Sequence, residues 1–239
     1  MSAPSAPPNR RVSTRPDALS MPRAHRVLTS LYPDAHAELD HTSAWELLVA
    51  TVLSAQTTDV RVNTVTPAIF SRWPGPAALA GAPEPEVSEI VRPLGMGARR
   101  AHQIITLSAQ LCAEHAGEVP DDQASLEALA GVGRKTAHVV RGTWFGHSLL
   151  TVDTHVGRLA RRFGWSTHAS PAALETDVVA LAETSADSGT PIDLTQLSHQ
   201  MIWHGRRVCT ARRPSCDTCP LALPAARGED RTFCPRIGV

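Results

Sequence analysis

Lysine is almost missing from this 239-residue chain: of its 23 Lys and Arg residues, only Lys135 is a lysine. A compositional bias toward arginine accounts for the count, and under it arginine fills every generic cationic role. Lys135 is then left for what a guanidinium cannot do, which is to lose a proton near neutral pH and act as an amine nucleophile. Net charge is also missing, at a formal value of zero, so overall charge announces no polyanionic partner. No apolar run is long enough to cross a bilayer, and the N-terminus lacks the hydrophobic core of a secretion signal. Strand signals are weak and no segment repeats.

What is present is organised. The length suits one large domain or two small ones closed around a cleft. Residues 1–20 are rich in Pro, Ser and Ala, with three arginines against one acid. So little apolar surface does not offset the entropy of ordering, and a disordered basic tail is expected. A mitochondrial transit peptide is a remoter reading, because the prolines oppose an amphipathic helix. Charge is segregated along the rest. Six basic residues lie between Arg134 and Arg162 against the single acid Asp153. Arg206, Arg207, Arg212 and Arg213 follow without an acid, while acids gather at 84–89 and 175–193. A dipolar molecule of this kind can present one basic face to a phosphate backbone despite zero net charge.

Helical spacing recurs, and the fold class is read as all-α. Trp45, Leu48, Val49, Val52 and Leu53 form an amphipathic stripe behind Ser43 as N-cap, with Gln56 continuing it. Val156, Leu159, Ala160 and Phe163 form another, which places Arg158, Arg161 and Arg162 on the outside. Further helices are expected at 22–31, 60–72, 86–92, 98–115, 125–129, 134–145, 172–184 and 194–207. Gly- and Pro-containing breaks separate them near 73–83, 93–97, 117–121, 146–151 and 187–191.

The segment LEALAGVGRKTAHVV, residues 126–140, carries chemistry. A short helix runs into Ala-Gly-Val-Gly and a second begins at Arg134. Gly131 and Gly133 permit a tight reversal with positive φ and uncover backbone N–H groups at a helix N-terminus, a ready anion site. Asp153 precedes a helix and reads as its N-cap. A capping carboxylate stays ionised, so the same group can face a developing positive charge. Four of the five cysteines cluster at the C-terminus as C-x6-C-x2-C-x14-C, namely Cys209, Cys216, Cys219 and Cys234. Without secretion, disulfides are not the first reading, and four thiolates can hold either a [4Fe–4S] cluster or structural zinc. Cys112 is read as a buried core thiol.

As a sequential set these motifs resemble the endonuclease III family of helix-hairpin-helix DNA glycosylases over residues 22–239. GVGRKTA resembles the hairpin carrying that family's catalytic lysine, here Lys135. TVDTHVGR, eighteen residues on, resembles the catalytic-aspartate segment, here Asp153. LLVATVLSAQTTD resembles the helix whose glutamine fills the gap left by an extruded base, here Gln56, and Met96 in PLGMGARRA falls at a position that wedges into the base stack. WHGRRVC leads into cysteines like those of the iron–sulfur loop, whose last interval is five residues rather than fourteen. The long final loop is feasible because lengthening a loop costs little entropy.

The resemblance implies a bifunctional DNA glycosylase and abasic-site lyase of base-excision repair, removing oxidised pyrimidines from damaged double-stranded DNA. A desolvated lysine amine near other cations has its pKa lowered and can attack the sugar to form a Schiff base, from which β-elimination follows. DNA contacts are expected from Gly131, Val132, Gly133, Arg134, Gln56, Met96 and His155. The implied domains are 36–149, six-helix, with the hairpin at about 125–145, and 21–35 plus 150–239, holding the cluster. Lys135 and Asp153 then stand on opposite sides of a cleft mouth. A bacterial-type cytoplasmic monomer associated with the nucleoid is expected. The competing readings are a monofunctional glycosylase of the same superfamily, in which serine commonly replaces the lysine, and a non-catalytic helix-hairpin-helix module with a metal clip.

Overall fold

The computed structural model describes residues 14–186, 191–223 and 232–239. Among them every regular element is helical: α1 (Met21–Leu31), α2 (Ala44–Leu53), α3 (Asp59–Asn63), α4 (Thr66–Arg72), α5 (Pro76–Ala80) and α6 (Glu84–Val91). A 3-10 turn (Arg92–Leu94) is followed by α7 (Gly97–Glu114), α8 (Gln123–Ala128), α9 (Arg134–Thr143), α10 (Thr154–Arg162), α11 (Pro171–Ala186) and α12 (Leu194–Arg207). The chain divides into two compact units, one of residues His36–Thr151 and one of Met1–Ala35 with Val152–Val239.

The His36–Thr151 unit is built around α2. Ser43 caps it by accepting from Glu46 N. Every residue from Leu47 to Leu53 is buried, so α2 is enclosed all round rather than two-faced. It ends at Leu53, which leaves Gln56 in the following turn and off the apolar stripe. The stretch 60–72, expected as one helix, is two. Pro67 sits in the first turn of α4, where its missing N–H is harmless, and would break a continuous helix. The region 73–83, expected as a break, contains α5, which Pro76 opens behind Gly75 and which buries Leu79. Trp45 closes the core by donating Nε1–H to Ser108 Oγ at 3.2 Å and lying 5.3 Å from the Phe70 ring.

The second unit packs α1, α10, α11 and α12. The tail expected to be disordered over 1–20 is ordered from residue 14, and residues 1–13 lie outside the described set. Arg15 N donates to Gly164 O at 3.0 Å, Leu19 N to Phe163 O at 2.8 Å, and Trp165 Nε1 to Leu19 O at 2.7 Å. Leu19 is fully buried beside Phe163 and Trp165, which supplies the apolar surface that composition of the segment averaged away. Cys112, expected in the core, is half-buried on α7. Among the described residues no helix is long and apolar enough to cross a membrane.

Candidate functional site

The hairpin α8–turn–α9 is held by position-specific contacts. Gln110, on α7, accepts from Ala130 N through Oε1 at 2.8 Å and donates Nε2–H to Ala128 O, so one amide holds the end of α8 and the start of the turn. Gly131 has φ +78°, and a Cβ there would stand 3.1 Å from Val52 Cγ1 and from Gln103 Nε2. Only glycine fits both the conformation and the space. Gly133 differs from the expectation: its φ is −115°, so it needs no glycine for conformation. Its Cβ direction is open, and as N-cap of α9 it brings no side chain to the first-turn amides. The result is a helix N-terminus whose N–H groups can be approached closely by an anion. Val132 turns its side chain into the core, leaving its backbone for a ligand. Arg134 and Lys135 are exposed in the first turn of α9. The desolvation expected around Lys135 is therefore not a property of the free protein. Midway along α9, buried His138 donates Nδ1–H to Leu150 O at 3.0 Å and ties the helix to the returning chain.

Gln56 and Met96 lie in the same unit as the hairpin, on the loops after α2 and after the 3-10 turn. Both are exposed, and both are non-glycine residues in the left-handed region, with φ +60° and +54°. Such conformations persist only where surroundings over-determine them. Met96, half exposed, is the residue on which α7 begins.

Asp153 and His155 belong to the other unit. Asp153 Oδ1 accepts from both His155 N and Val156 N at 2.8 Å, which caps α10. Its Oδ2 takes no hydrogen bond among the described residues. Arg158 Nη2 donates to His155 Nδ1 at 3.0 Å; since arginine can only donate, the neutral imidazole keeps its proton on Nε2. Gly205 on α12 admits this ring, because a Cβ there would come within 2.9 Å of Nδ1.

Cys209, Cys216, Cys219 and Cys234 all line one cavity, together with Arg162 and His204. Cys234 reaches it through a bond from its own N–H to Leu221 O at 2.7 Å, despite the long interval from Cys219. Among the described residues no three His, Cys, Asp or Glu side chains converge as a single metal ion requires. Thiolates are the donor set of iron–sulfur clusters, and all four of these line the one cavity. Burial raises Cys219 above the usual thiol range and pushes Cys234 up to about 11. Loading such a site must release protons. Arg162 Nη1 donates to Cys209 Sγ at 3.2 Å, and its guanidinium also binds Thr210 O and Ala211 O. Arg158 binds Cys209 O and Gly205 O. On the far side, burial lowers His204 to about 4, and its ring sits between Tyr32 Oη and Cys219 Sγ.

Periodicity misplaced two of these groups. Arg162 is 5% exposed and Arg158 half-buried, so they do not form an outer face with Arg161. The available signal was their i, i+4 spacing ahead of a cysteine loop with no acid to pair them. Nothing in the sequence marks Arg100, Gln110 or His204 for their roles.

Residues 49–183 match the profile of the HhH-GPD superfamily of base excision DNA repair proteins, and residues 209–222 match that of the iron–sulfur binding domain of endonuclease III. The second match stops short of Cys234. The endonuclease III of Synechocystis sp. is 42% identical over 206 residues, 85% of this chain and 91% of the relative. A non-covalent endonuclease III–DNA complex superposes with a TM-score of 0.77 at 36% identity, over 84% of this chain and 91% of that one. A trapped endonuclease III–DNA covalent intermediate gives the same TM-score and identity, over 84% and 92%.

Proposed function

From the premise that this chain belongs to the endonuclease III family, within the HhH-GPD superfamily of base excision DNA repair proteins, we propose that Lys135 is its nucleophile. The protein is a bifunctional DNA glycosylase and abasic-site lyase. What carries the assignment to Lys135 is position: the chain's one lysine stands exposed in the first turn of α9, directly after an uncapped anion-binding turn. A relative of the same fold has been captured as a covalent intermediate with DNA.

In this reading the amides of Gly133 and the first turn of α9 hold a DNA phosphate, with Arg134 beside them. The Lys135 amine attacks C1′ of the damaged nucleotide, and the base leaves with the electrons of the glycosidic bond. Ring opening gives a Schiff base, which acidifies the C2′ proton; its removal expels the 3′ phosphate. Closure of DNA over the exposed amine excludes water from it. Asp153 offers its second carboxylate oxygen, Oδ2, as a fixed negative charge to an electron-poor sugar. His155 donates from Nε2 to the DNA backbone. Gln56 and Met96 enter the duplex where the nucleotide has left.

The substrate class assigned is oxidised pyrimidines in duplex DNA, with the protein acting as a monomer on the nucleoid. Cys209, Cys216, Cys219 and Cys234 hold a [4Fe–4S] cluster, which when bound clamps the C-terminal loop and keeps exposed Arg212 and Arg213 in place. Lys135→Arg tests the reading, because it preserves the charge and removes the nucleophile. On a duplex containing thymine glycol, the variant should bind within a few-fold of the parent and release no base. Base release at the parental rate would overturn the assignment.

A further inference from the structure

Arg100, on α7, is 3% exposed and no carboxylate is among its hydrogen-bond partners in the described residues. Its guanidinium instead donates Nη1–H to Leu53 O at 2.6 Å, Nη2–H to Ala55 O at 2.7 Å and to Leu94 O at 3.5 Å, and Nε–H to Gly95 O at 2.8 Å. These acceptors come from two segments about forty residues apart. Leu53 closes α2 and Leu94 closes the 3-10 turn, so both present carbonyls that their own helices cannot satisfy. The carbonyl ends are also where a helix carries partial negative charge, which is what a buried cation without a carboxylate needs. Immediately after each segment the chain sets one exposed side chain in the left-handed region, Gln56 and Met96.

We propose that Arg100 is a positioning residue that locks the Gln56 loop and the Met96 loop to one another, so that the two side chains meet the duplex as a single unit. Neighbouring contacts agree with it. Arg61, on the helix after Gln56, donates to Pro93 O, and Arg100 N donates to Met96 O at 3.0 Å. Gly97 permits close seating of the second loop, since a Cβ there would come within 2.9 Å of Ser88 O. A planar guanidinium can reach both segments at once, whereas an ammonium is a single point and can serve one. The consequence for DNA, though not for the loops, rests on the reading that Gln56 and Met96 enter the duplex.

Two measurements separate the possibilities, on the full-length protein carrying Arg100→Lys or Arg100→Met. Hydrogen exchange of the free Arg100→Met protein, on which the locking role is judged, should show amides at 54–57 and 95–98 losing protection together, while the middle of α2 and of α7 keeps theirs. Turnover on duplexes with each of the four bases opposite the lesion should show kcat falling about tenfold or more, KM changing little, and the spread between opposite bases narrowing. Arg100→Lys should recover part of this. Loss of protection in only one loop, or a general loss across α2 and α7, would overturn the locking role. Loops released together with parental turnover and spread would overturn the link to DNA. If Gln56→Ala and Met96→Ala also left the spread unchanged, the fault would lie in the insertion reading rather than in the lock.

Discussion

Arg162 places its Nη1 3.2 Å from the sulfur of Cys209, and the same buried guanidinium binds the carbonyls of Thr210 and Ala211. One side chain of α10 thus holds the whole entry to the cysteine loop. Replacing it with Met removes the donor from the part-buried carbonyl contacts at Thr210 and Ala211, a cost of about 1–2 kcal/mol. Arg162→Met is expected to lower thermal stability accordingly and to reduce iron per protein. Equal iron content and an unchanged melting temperature would contradict the bracing role.

Cys234 makes a sharper test of the metal centre. The four thiols share one cavity, although the profile of the iron–sulfur domain ends before the fourth. Cys234→Ala is expected to yield protein with depleted iron and weak visible absorption, and with faster proteolysis of the loop that follows α12. Chelation of the parent should have the same effect on proteolysis. Full iron occupancy in Cys234→Ala would assign the fourth position elsewhere.

The hairpin glycines separate fold from function. Gly131→Ala meets a positive φ and a Cβ contact of 3.1 Å, and should destabilise by about 1–3 kcal/mol. Gly133→Ala meets neither, so its stability should change by less than about 1 kcal/mol. In the proposed reading its methyl group stands in the path of a DNA phosphate, so DNA affinity should fall while the melting curve stays in place. Similar behaviour of the two variants in both assays would remove the anion site from the account.

Asp153→Asn keeps an acceptor for His155 N and Val156 N and removes only the charge. Stability should change by less than about 1 kcal/mol, while base release slows roughly 100-fold or more, the scale of a lost catalytic charge. A parental rate would leave Asp153 as a cap and nothing more.

Much of this was legible in the sequence, for identifiable reasons. Long helices with apolar periodicity are plain, and α12 runs over Leu194–Arg207 as its spacing indicates. The glycine turn, the lone lysine and the capping aspartate are local features, so their chemistry can be read locally. Buried arginines could not be. Periodicity places Arg158 and Arg162 on the surface and says nothing of Arg100, yet each goes where helix ends and loops present carbonyls, which only the tertiary structure reveals. Segments at the margin of propensity failed likewise. The five-residue α5 and the docked stretch at Leu19 exist because a neighbour buries one side chain of each. Gln56 belongs to this group as well, since its exposed, left-handed placement follows from where α2 ends rather than from the stripe it seemed to extend.

Covalent capture tests the central claim most directly. With a single lysine in the chain, borohydride reduction of a Schiff base on a duplex abasic site can trap only Lys135 or the N-terminal amine. The parent protein should give one covalent protein–DNA adduct, and Lys135→Arg should give none while still retarding the same duplex in a gel. An undiminished adduct from Lys135→Arg would contradict the assignment.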